Sequence, residues 1–176
     1  MNIMQDQRAL WIERMGDHIL AHGLNGASLR PLAKAAGTSD RMLIYYFDDK
    51  AGLLTAILEA IAARMTGLIL ERGTQAPLPY AACLRRIMAI FNDAIFAPYM
   101  RLFLDIAARA ATGDPFYARV GERLGRLYFE WGKAQLESDT LERDAARLIA
   151  TVEGLVVLQA LGLHDVCAQV LSAPDA

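Results

Sequence analysis

The sequence predicts an all-α protein, and three observations support that fold class. Apolar residues recur at spacings of three and four along almost the whole chain, which is typical of helices packed on one side. The strict alternation of apolar and polar residues that is typical of strands is absent. Short clusters of Gly, Pro, Asn, Asp or Ser divide the periodic segments into eight main helices and a short last one. We therefore expect helices packed on helices and no sheet.

The composition excludes a strongly basic protein and a disulfide-stabilised one. The 176 residues include 18 Lys and Arg against 20 Asp and Glu, so any attraction to nucleic acid must come from a local arrangement of charge. Two cysteines are too few for a disulfide framework and predict a reduced, cytoplasmic protein. We expect no signal peptide and no membrane association, because no run reaches the ~18 apolar residues of a membrane span. The mean hydropathy of +0.23 is high for a small soluble monomer, so we expect some apolar surface to pair with a second subunit.

The first fifty residues contain a helix-turn-helix pattern. Helix one covers residues 5–22 and carries apolar side chains on one face. Ser28 is the expected N-cap of helix two, at residues 29–36, and Gly37 ends that helix in a three-residue turn. Ser39 then begins helix three. Two short helices joined by a glycine turn, behind a supporting helix, predict a unit whose second short helix can enter the ~12 Å major groove of DNA.

A longer pattern continues from helix two into helix four. The segment SLRPLAKAAGTS at residues 28–39 is followed by Leu43, Tyr46-Phe47, Asp49-Lys50 and Leu53-Leu54. This pattern, over residues 9–58, resembles the tetracycline-repressor (TetR) family of bacterial transcriptional regulators. The resemblance implies an N-terminal helix-turn-helix DNA-binding domain at residues 1–50 and a C-terminal helical domain for effector binding and dimerisation at residues 51–176. Helix four, at residues 49–72, would link the two domains.

The same region supplies the expected DNA contacts. Contacts to phosphates position a protein on the duplex, whereas contacts to base edges read the sequence. Arg41 can bind guanine through two hydrogen bonds. We expect phosphate contacts from Ser28, Arg30, Tyr45, Tyr46 and Lys50, base contacts from Asp40, Arg41, Met42, Ile44 and Tyr45, and a further contact from Ser39 at the start of helix three.

Aromatic and methionine side chains collect in the middle of the chain. Cavities between helices are the usual small-molecule sites of all-helical domains. Because apolar side chains outnumber charged ones in this region, we expect an apolar effector with at most one or two polar anchors. Arg101, Asp105 and Glu153 lie in apolar helices and either orient that ligand or pair with each other. The expected effector-binding residues are Met88, Phe91, Phe96, Met100, Phe103, Tyr128 and Trp131.

Two long helices predict a dimer interface. The segments 116–137 and 142–163 are rich in apolar side chains, and the second is apolar on almost every side, which predicts burial all round. Two such helices from each of two copies would form a four-helix interface about a two-fold axis. The expected interface residues are Val120, Leu124, Leu127, Val152, Leu155 and Val156.

These expectations describe a cytoplasmic homodimer that binds a double-stranded DNA operator. We expect a repressor that an apolar ligand releases from DNA. The alternative is a helical, dimeric ligand-binding module that has lost DNA binding, for which the acidic residues Asp40, Asp48 and Asp49 are the evidence. No catalytic constellation or phosphate loop is present, so we expect neither an enzyme nor a cofactor. His18 and His22 have no third partner in sequence reach, so we expect no metal site.

Overall fold

The computed structural model describes residues 3–71 and 76–172, with side chains described from Asp6 onward. Within these ranges the chain forms nine α-helices and two short 3₁₀ turns, at Leu24–Gly26 and Ala94–Phe96. The helices are α1 Ile3–His22, α2 Leu29–Ala36, α3 Asp40–Phe47, α4 Lys50–Glu71, α5 Tyr80–Phe91, α6 Ala97–Ala111, α7 Pro115–Lys133, α8 Leu141–Ala160 and α9 His164–Ser172. The predicted all-α class is confirmed.

The chain divides into two compact units. Unit 1 comprises Met1–Leu68 and Arg101–Val120, and unit 2 comprises Ile69–Met100 and Gly121–Ala176. The core of unit 1 contains fully buried side chains from the first four helices, namely Met15, Ile19, Leu32, Leu43, Leu53 and Ile57. The core of unit 2 contains Cys83, Leu84, Ile87, Met88, Leu148 and Leu155 from α5 and α8. Helix α6 runs without a break through Met100 and Arg101, so its first turn belongs to unit 2 and the remainder to unit 1.

Helix α4 is more apolar than the sequence analysis expected. In the described part of the chain, it alone among single helices is long and apolar enough to cross a membrane, with a mean hydropathy of 1.8 in its most apolar window. The pair Tyr80–Phe91 and Ala94–Ala111, bent by 72°, passes the same test as a broken span. Within unit 1, α4 buries Leu53 and Ile57 completely, and 44% of its window is buried. Leu53 and Ile57 of α4 therefore contribute to the core of unit 1.

The helix ends in unit 1 follow local capping chemistry. Ser39 Oγ accepts a hydrogen bond from the Met42 N–H at 3.3 Å, and Asp49 Oδ1 accepts one from the Gly52 N–H at 2.7 Å. Gly37 ends α2 with a φ of 76°, a conformation that favours glycine. Ser28 is at the N-cap position of α2, as expected, but its side chain makes no capping hydrogen bond.

The expected ends of the last long helices need correction. Helix α7 ends at Lys133 rather than 137, because the following segment pairs with Leu78 in an isolated bridge. The Leu78 N–H donates to the Gln135 carbonyl and the Glu137 N–H donates to the Leu78 carbonyl, both at 2.9 Å. Helix α8 ends at Ala160 rather than 163, and Gly162 follows with a φ of 81°. This bridge is the one sheet-like pairing that we find in the described ranges.

Candidate functional site

The recognition helix α3 has one buried and one exposed side. Leu43 and Phe47 point into the core of unit 1, with 0% and 4% of their surface exposed. Side chains on the other side face solvent, and the Tyr45 side chain is 76% exposed. Of the expected base-reading residues, Asp40, Arg41, Met42 and Tyr45 are exposed and Ile44 is half-buried. The arrangement presents a polar and aromatic surface on a helix of eight residues.

Tyr46 packs in an aromatic group that orients α3. Its ring meets Trp11 of α1 edge to face at 5.3 Å, and it meets Tyr45 in the same way at 5.3 Å. Trp11 is 6% exposed, so this contact fixes Tyr46 against the supporting helix. The Arg8 guanidinium lies 4.5 Å from the centre of the Phe47 ring. The sequence did not predict that Trp11 and Arg8 position α3. Their partners lie in another helix, and no short sequence pattern indicates such a contact.

Arg14 of α1 completes the turn between α2 and α3. Its guanidinium donates to the Ala36 carbonyl at 3.2 Å, at a helix end where carbonyl groups lack partners within the helix. A Cβ atom on Gly37 would lie 3.3 Å from the same guanidinium nitrogen, so the turn also leaves little space for a side chain. The sequence analysis missed this residue as well.

Four exposed cations surround the surface of α2 and α3. Arg30 and Lys34 lie one turn apart on α2, Arg41 lies on α3, and Lys50 begins α4. No carboxylate of residues 6–71 or 76–172 pairs with any of them. We call Arg30, Lys34, Arg41 and Lys50 the cation set. Lys34 was not among the expected contacts, although its spacing of four residues from Arg30 could have indicated it.

The remaining expected contacts and the nearby acids are also on the surface. Ser28 and Ser39 are exposed at the starts of α2 and α3. Asp49 accepts the hydrogen bond that caps α4, and Asp40 lies in the first turn of α3, where the helix dipole favours a negative charge. Asp48 has a φ of 65° and ends α3. Two of the three acids therefore have a local structural role.

Helix α6 holds the connection between α1 and α2 inside unit 1. Asp105 Oδ2 accepts a hydrogen bond from the Leu24 N–H at 2.9 Å. Asp105 Oδ1 accepts one from Arg109 Nε at 3.1 Å, and the same guanidinium donates to Asn25 Oδ1 at 2.9 Å. Arg101 donates to the Leu20 carbonyl at 3.3 Å. Arg101 and Asp105 therefore do not pair with each other: Asp105 binds this connection, and Arg101 binds the last turn of α1.

The expected effector residues are mostly in unit 2, around Phe96. Phe96 is fully buried and Met88 is 1% exposed, and the Phe96 ring lies 6.1 Å from Phe91 and 6.2 Å from Tyr99. Burial raises the pKa of Tyr128 to about 12. The Tyr99 hydroxyl is buried without a hydrogen-bond partner. Of the other expected residues, Met100 and Trp131 are half-buried in unit 2, whereas Phe103 is half-buried in unit 1.

A shallow depression opens on unit 2 beside Trp131. Its enclosed part is about 10 Å³, which is the space for about one water molecule. Arg86 lies at its rim and donates to the Ala76 carbonyl at 3.2 Å and to Gln135 Oε1 at 3.1 Å. Trp131 is the one expected effector residue that lines it. The lining consists of Ile69, Leu70, Arg86, Ile87, Ile90, Trp131 and Gln135.

The expected interface residues fall into two groups. Val152, Leu155 and Val156 are only 8%, 2% and 6% exposed, because they pack in the chain's own core. They offer no surface to a second copy. Leu127 is 48% exposed, and Val120 and Leu124 are half-buried. In the single chain α8 is not buried all round: α8 and the segment after it expose apolar side chains, notably Val157, Leu161, Leu163, Val166 and Val170.

The helix-turn-helix segment of this chain is similar to segments of known proteins. The profile described as bacterial regulatory proteins, tetR family, matches residues 19–57, from the end of α1 into α4. The HTH-type transcriptional regulator BetI of Cronobacter sakazakii is 30% identical over 133 residues, which cover 73% of this chain and 64% of that protein. The chain thus matches less than two thirds of that regulator's length. BetI of Klebsiella pneumoniae is 27% identical over 88% of this chain and 83% of its own length.

Two further comparisons extend the likeness. The HTH-type transcriptional repressor AcnR of Corynebacterium glutamicum is 38% identical over 52 residues, or 30% of this chain and 28% of that one. The crystal structure of a transcriptional regulator from Rhodococcus sp. Rha1 shares the fold, with a TM-score of 0.68 at 24% identity over 93% of this chain and 90% of that one. The helix-turn-helix geometry and these matches agree: residues 19–57 carry the helix-turn-helix of the tetR family of bacterial regulatory proteins.

Proposed function

We propose that the chain is a transcriptional regulator that binds duplex DNA through α2 and α3. The observation that carries this proposal is the cation set, four exposed basic side chains around the recognition helix with no carboxylate partner in the described ranges. Each cation that neutralises a phosphate releases counterions and contributes to affinity. Because the net charge of the chain is −2, this local concentration of positive charge does not follow from the overall composition, and it therefore favours a DNA-binding surface at α2 and α3.

The acidic residues nearby do not argue for lost DNA binding. Asp49 is engaged in capping α4, and Asp40 benefits from the dipole of α3. The matched relatives are named as regulators or a repressor with a helix-turn-helix, rather than as binding modules without DNA. These relatives are also not enzymes, which favours a regulatory over a catalytic role. We therefore retain DNA binding as the function and a repressor as the expected type.

We propose that the regulator acts as a homodimer. Leu161, which follows α8, is 70% exposed and has exposed apolar neighbours in sequence, such as Val157 and Leu163. Several exposed apolar side chains in one segment are typical of a protein interface. A two-fold dimer would present two recognition helices to half-sites about 34 Å apart. The proposed interface uses Leu127 and these exposed residues in place of Val152, Leu155 and Val156.

We propose that an apolar small molecule controls DNA binding from unit 2. The aromatic group around Phe96 is buried, and Met88 adds an adaptable side chain to it. Because Phe96 and Met88 are buried and the depression beside Trp131 has space for about one water molecule, a ligand there must select a more open conformation. A ligand lowers DNA affinity only as far as it binds the DNA-incompetent conformation more tightly.

Selection of bound sequences from random duplexes tests the proposed function. We expect the wild-type chain to enrich a two-fold symmetric site with half-sites one helical turn apart. The variant Arg30→Ala should bind the selected duplex more weakly at equal salt. Arg126→Ala is the matched control, because Arg126 is an exposed arginine on α7 that pairs with Glu122. If no sequence is enriched and the wild type binds no duplex at low salt, the proposal is wrong.

A further inference from the structure

The connection between α1 and α2 lacks a local cap. It consists of residues 23–28 and contains the 3₁₀ turn Leu24–Gly26. Gly23, at the N-cap position of that turn, has a φ of 69°, which favours glycine, and glycine has no side chain to accept the free N–H groups. The Leu24 N–H instead donates to Asp105 of α6, which is 81 residues away in sequence. Helix α6 therefore supplies the cap that the connection cannot supply itself.

Arg109 extends this contact to a second residue of the connection. Its Nε donates to the carboxylate of Asp105, and its terminal nitrogen donates to the Asn25 side chain. The side chains of Arg109 and Asp105 are 33% and 30% exposed, so solvent screens the pair less than it screens a fully exposed one. The Arg109 guanidinium also lies 5.3 Å from the centre of the Tyr117 ring. Asp105 and Arg109 thus bind Leu24 and Asn25 together.

The connection determines where α2 begins. Helices α2 and α3 have eight residues each, and helices this short depend on tertiary packing for their position. Leu24 and Ala27 are each 4% exposed, so the connection packs in the core of unit 1 immediately before α2. A displacement of the connection would move the first turn of α2, which carries Arg30.

From this geometry we infer that Asp105 and Arg109 are positioning residues for DNA binding, which act through Leu24 and Asn25 and touch no DNA themselves. The inference rests on the proposed function and adds a means of regulating the same site. When the contact is broken, only a fraction of molecules has α2 in the binding position. The apparent dissociation constant rises as the inverse of that fraction, while the number of phosphates contacted in the bound state is unchanged.

Four variants test the inference against one duplex obtained by selection with the wild type. Asp105→Ala removes the cap, and Asp105→Asn retains an oxygen that can accept from the Leu24 N–H. Asn25→Ala removes only the acceptor of the terminal Arg109 nitrogen and leaves the contact with Asp105 in place. It is the milder change and serves if Asp105→Ala folds poorly. Glu122→Ala is the matched control, because Glu122 and Arg126 form the same kind of i, i+4 pair on the exposed surface of α7. Dissociation constants are measured over a range of salt concentrations, together with thermal unfolding and hydrogen exchange of the Leu24 amide.

We expect Asp105→Ala to weaken DNA binding about 5-fold or more, the lower end of coupling between distant sites. The slope of log affinity against log salt should equal that of the wild type, and the Leu24 amide should exchange faster. Asp105→Asn should recover at least half of the loss on a logarithmic scale. Asn25→Ala should weaken binding with little change in melting temperature, and Glu122→Ala should bind within about twofold of the wild type.

Three results would overturn the inference. If Asp105→Ala exposes the Leu24 amide to exchange but binds DNA as the wild type does, the connection does not control affinity. If the salt slope of Asp105→Ala differs from that of the wild type by about one or more, the variant contacts a different number of phosphates. The substitution would then change the docking itself rather than the position of α2. A wild-type chain that binds no duplex contradicts the proposed function as well, whereas the first two results leave that function intact.

Discussion

The guanidinium of Arg14 donates a hydrogen bond to the carbonyl of Ala36 at 3.2 Å, which joins the supporting helix α1 to the end of α2. The acceptor is one of the last carbonyls of a helix, where no partner is available within the helix. The bond lies immediately before Gly37, whose φ of 76° reverses the chain towards the recognition helix. Arg14 therefore supports the turn on which the angle between α2 and α3 depends.

Replacement of Arg14 tests this role. Arg14→Met keeps much of the apolar stem of the side chain and removes the donor, so the Ala36 carbonyl loses its partner. We expect a loss of about 1 kcal/mol in the free energy of unfolding, measured by chemical denaturation. The control Arg126→Met removes an exposed surface pair and should cost less. Equal losses in the two variants would contradict a specific role for Arg14.

The two serine N-caps of the helix-turn-helix offer a matched comparison of stability. Ser39 Oγ accepts from the Met42 N–H, whereas Ser28 makes no capping hydrogen bond with its side chain. We expect Ser39→Ala to lower the free energy of unfolding by about 1 kcal/mol and Ser28→Ala by clearly less. Thermal unfolding at neutral pH measures both. A larger loss for Ser28→Ala would show that capping at Ser39 is not what stabilises the start of α3.

The proposed dimer interface can be tested with two residues of equal exposure in unit 2. Val157 on α8 and Ile95 before α6 are each 42% exposed. Val157→Glu would place an unpaired charge in the proposed interface, so we expect this variant to dissociate at concentrations at which the wild type is a dimer. Ile95→Glu should remain a dimer. Sedimentation at micromolar concentration gives the result, and a monomeric wild type would contradict the interface.

Arg41 tests how α3 reads sequence. Its side chain is exposed on the surface of α3 and has no carboxylate partner in the described part of the chain. If Arg41 binds one guanine through two hydrogen bonds, Arg41→Ala should relax the preference at a single base pair by about 1–3 kcal/mol. Competition between the selected duplex and single-base variants measures that preference. A loss of affinity that is uniform over all base pairs would assign Arg41 to phosphate contacts instead.

The helix-turn-helix could be predicted from sequence because its signals are local. Gly37 and Ser39 lie within three residues of the turn that they define, and the capping of α4 by Asp49 is equally local. The contact between Asp105 and Leu24 could not be predicted, since it joins residues 81 positions apart through the tertiary fold.

In unit 2, the sequence did not predict which apolar side chains the chain itself covers. A run of apolar residues predicts burial but does not say what covers each side chain. Leu155 is covered by the chain itself, whereas Leu161, six residues later, is 70% exposed. The effector residues show the same limit, because Phe96 and Phe103 belong to one run of aromatic residues in the sequence but lie in different units. Aromatic residues in a run identify a packed region without identifying a cavity.

The salt dependence of DNA binding tests the central claim most directly, because it counts the phosphates that the protein contacts. The affinity of the wild type for its selected duplex should fall steeply with salt, and Lys50→Ala should reduce the slope by about one for each copy bound. The same variant should weaken binding about equally for all duplex sequences, since phosphate contacts carry no sequence information. If Lys50→Ala leaves both affinity and slope unchanged, the proposed docking through α2, α3 and the start of α4 is contradicted.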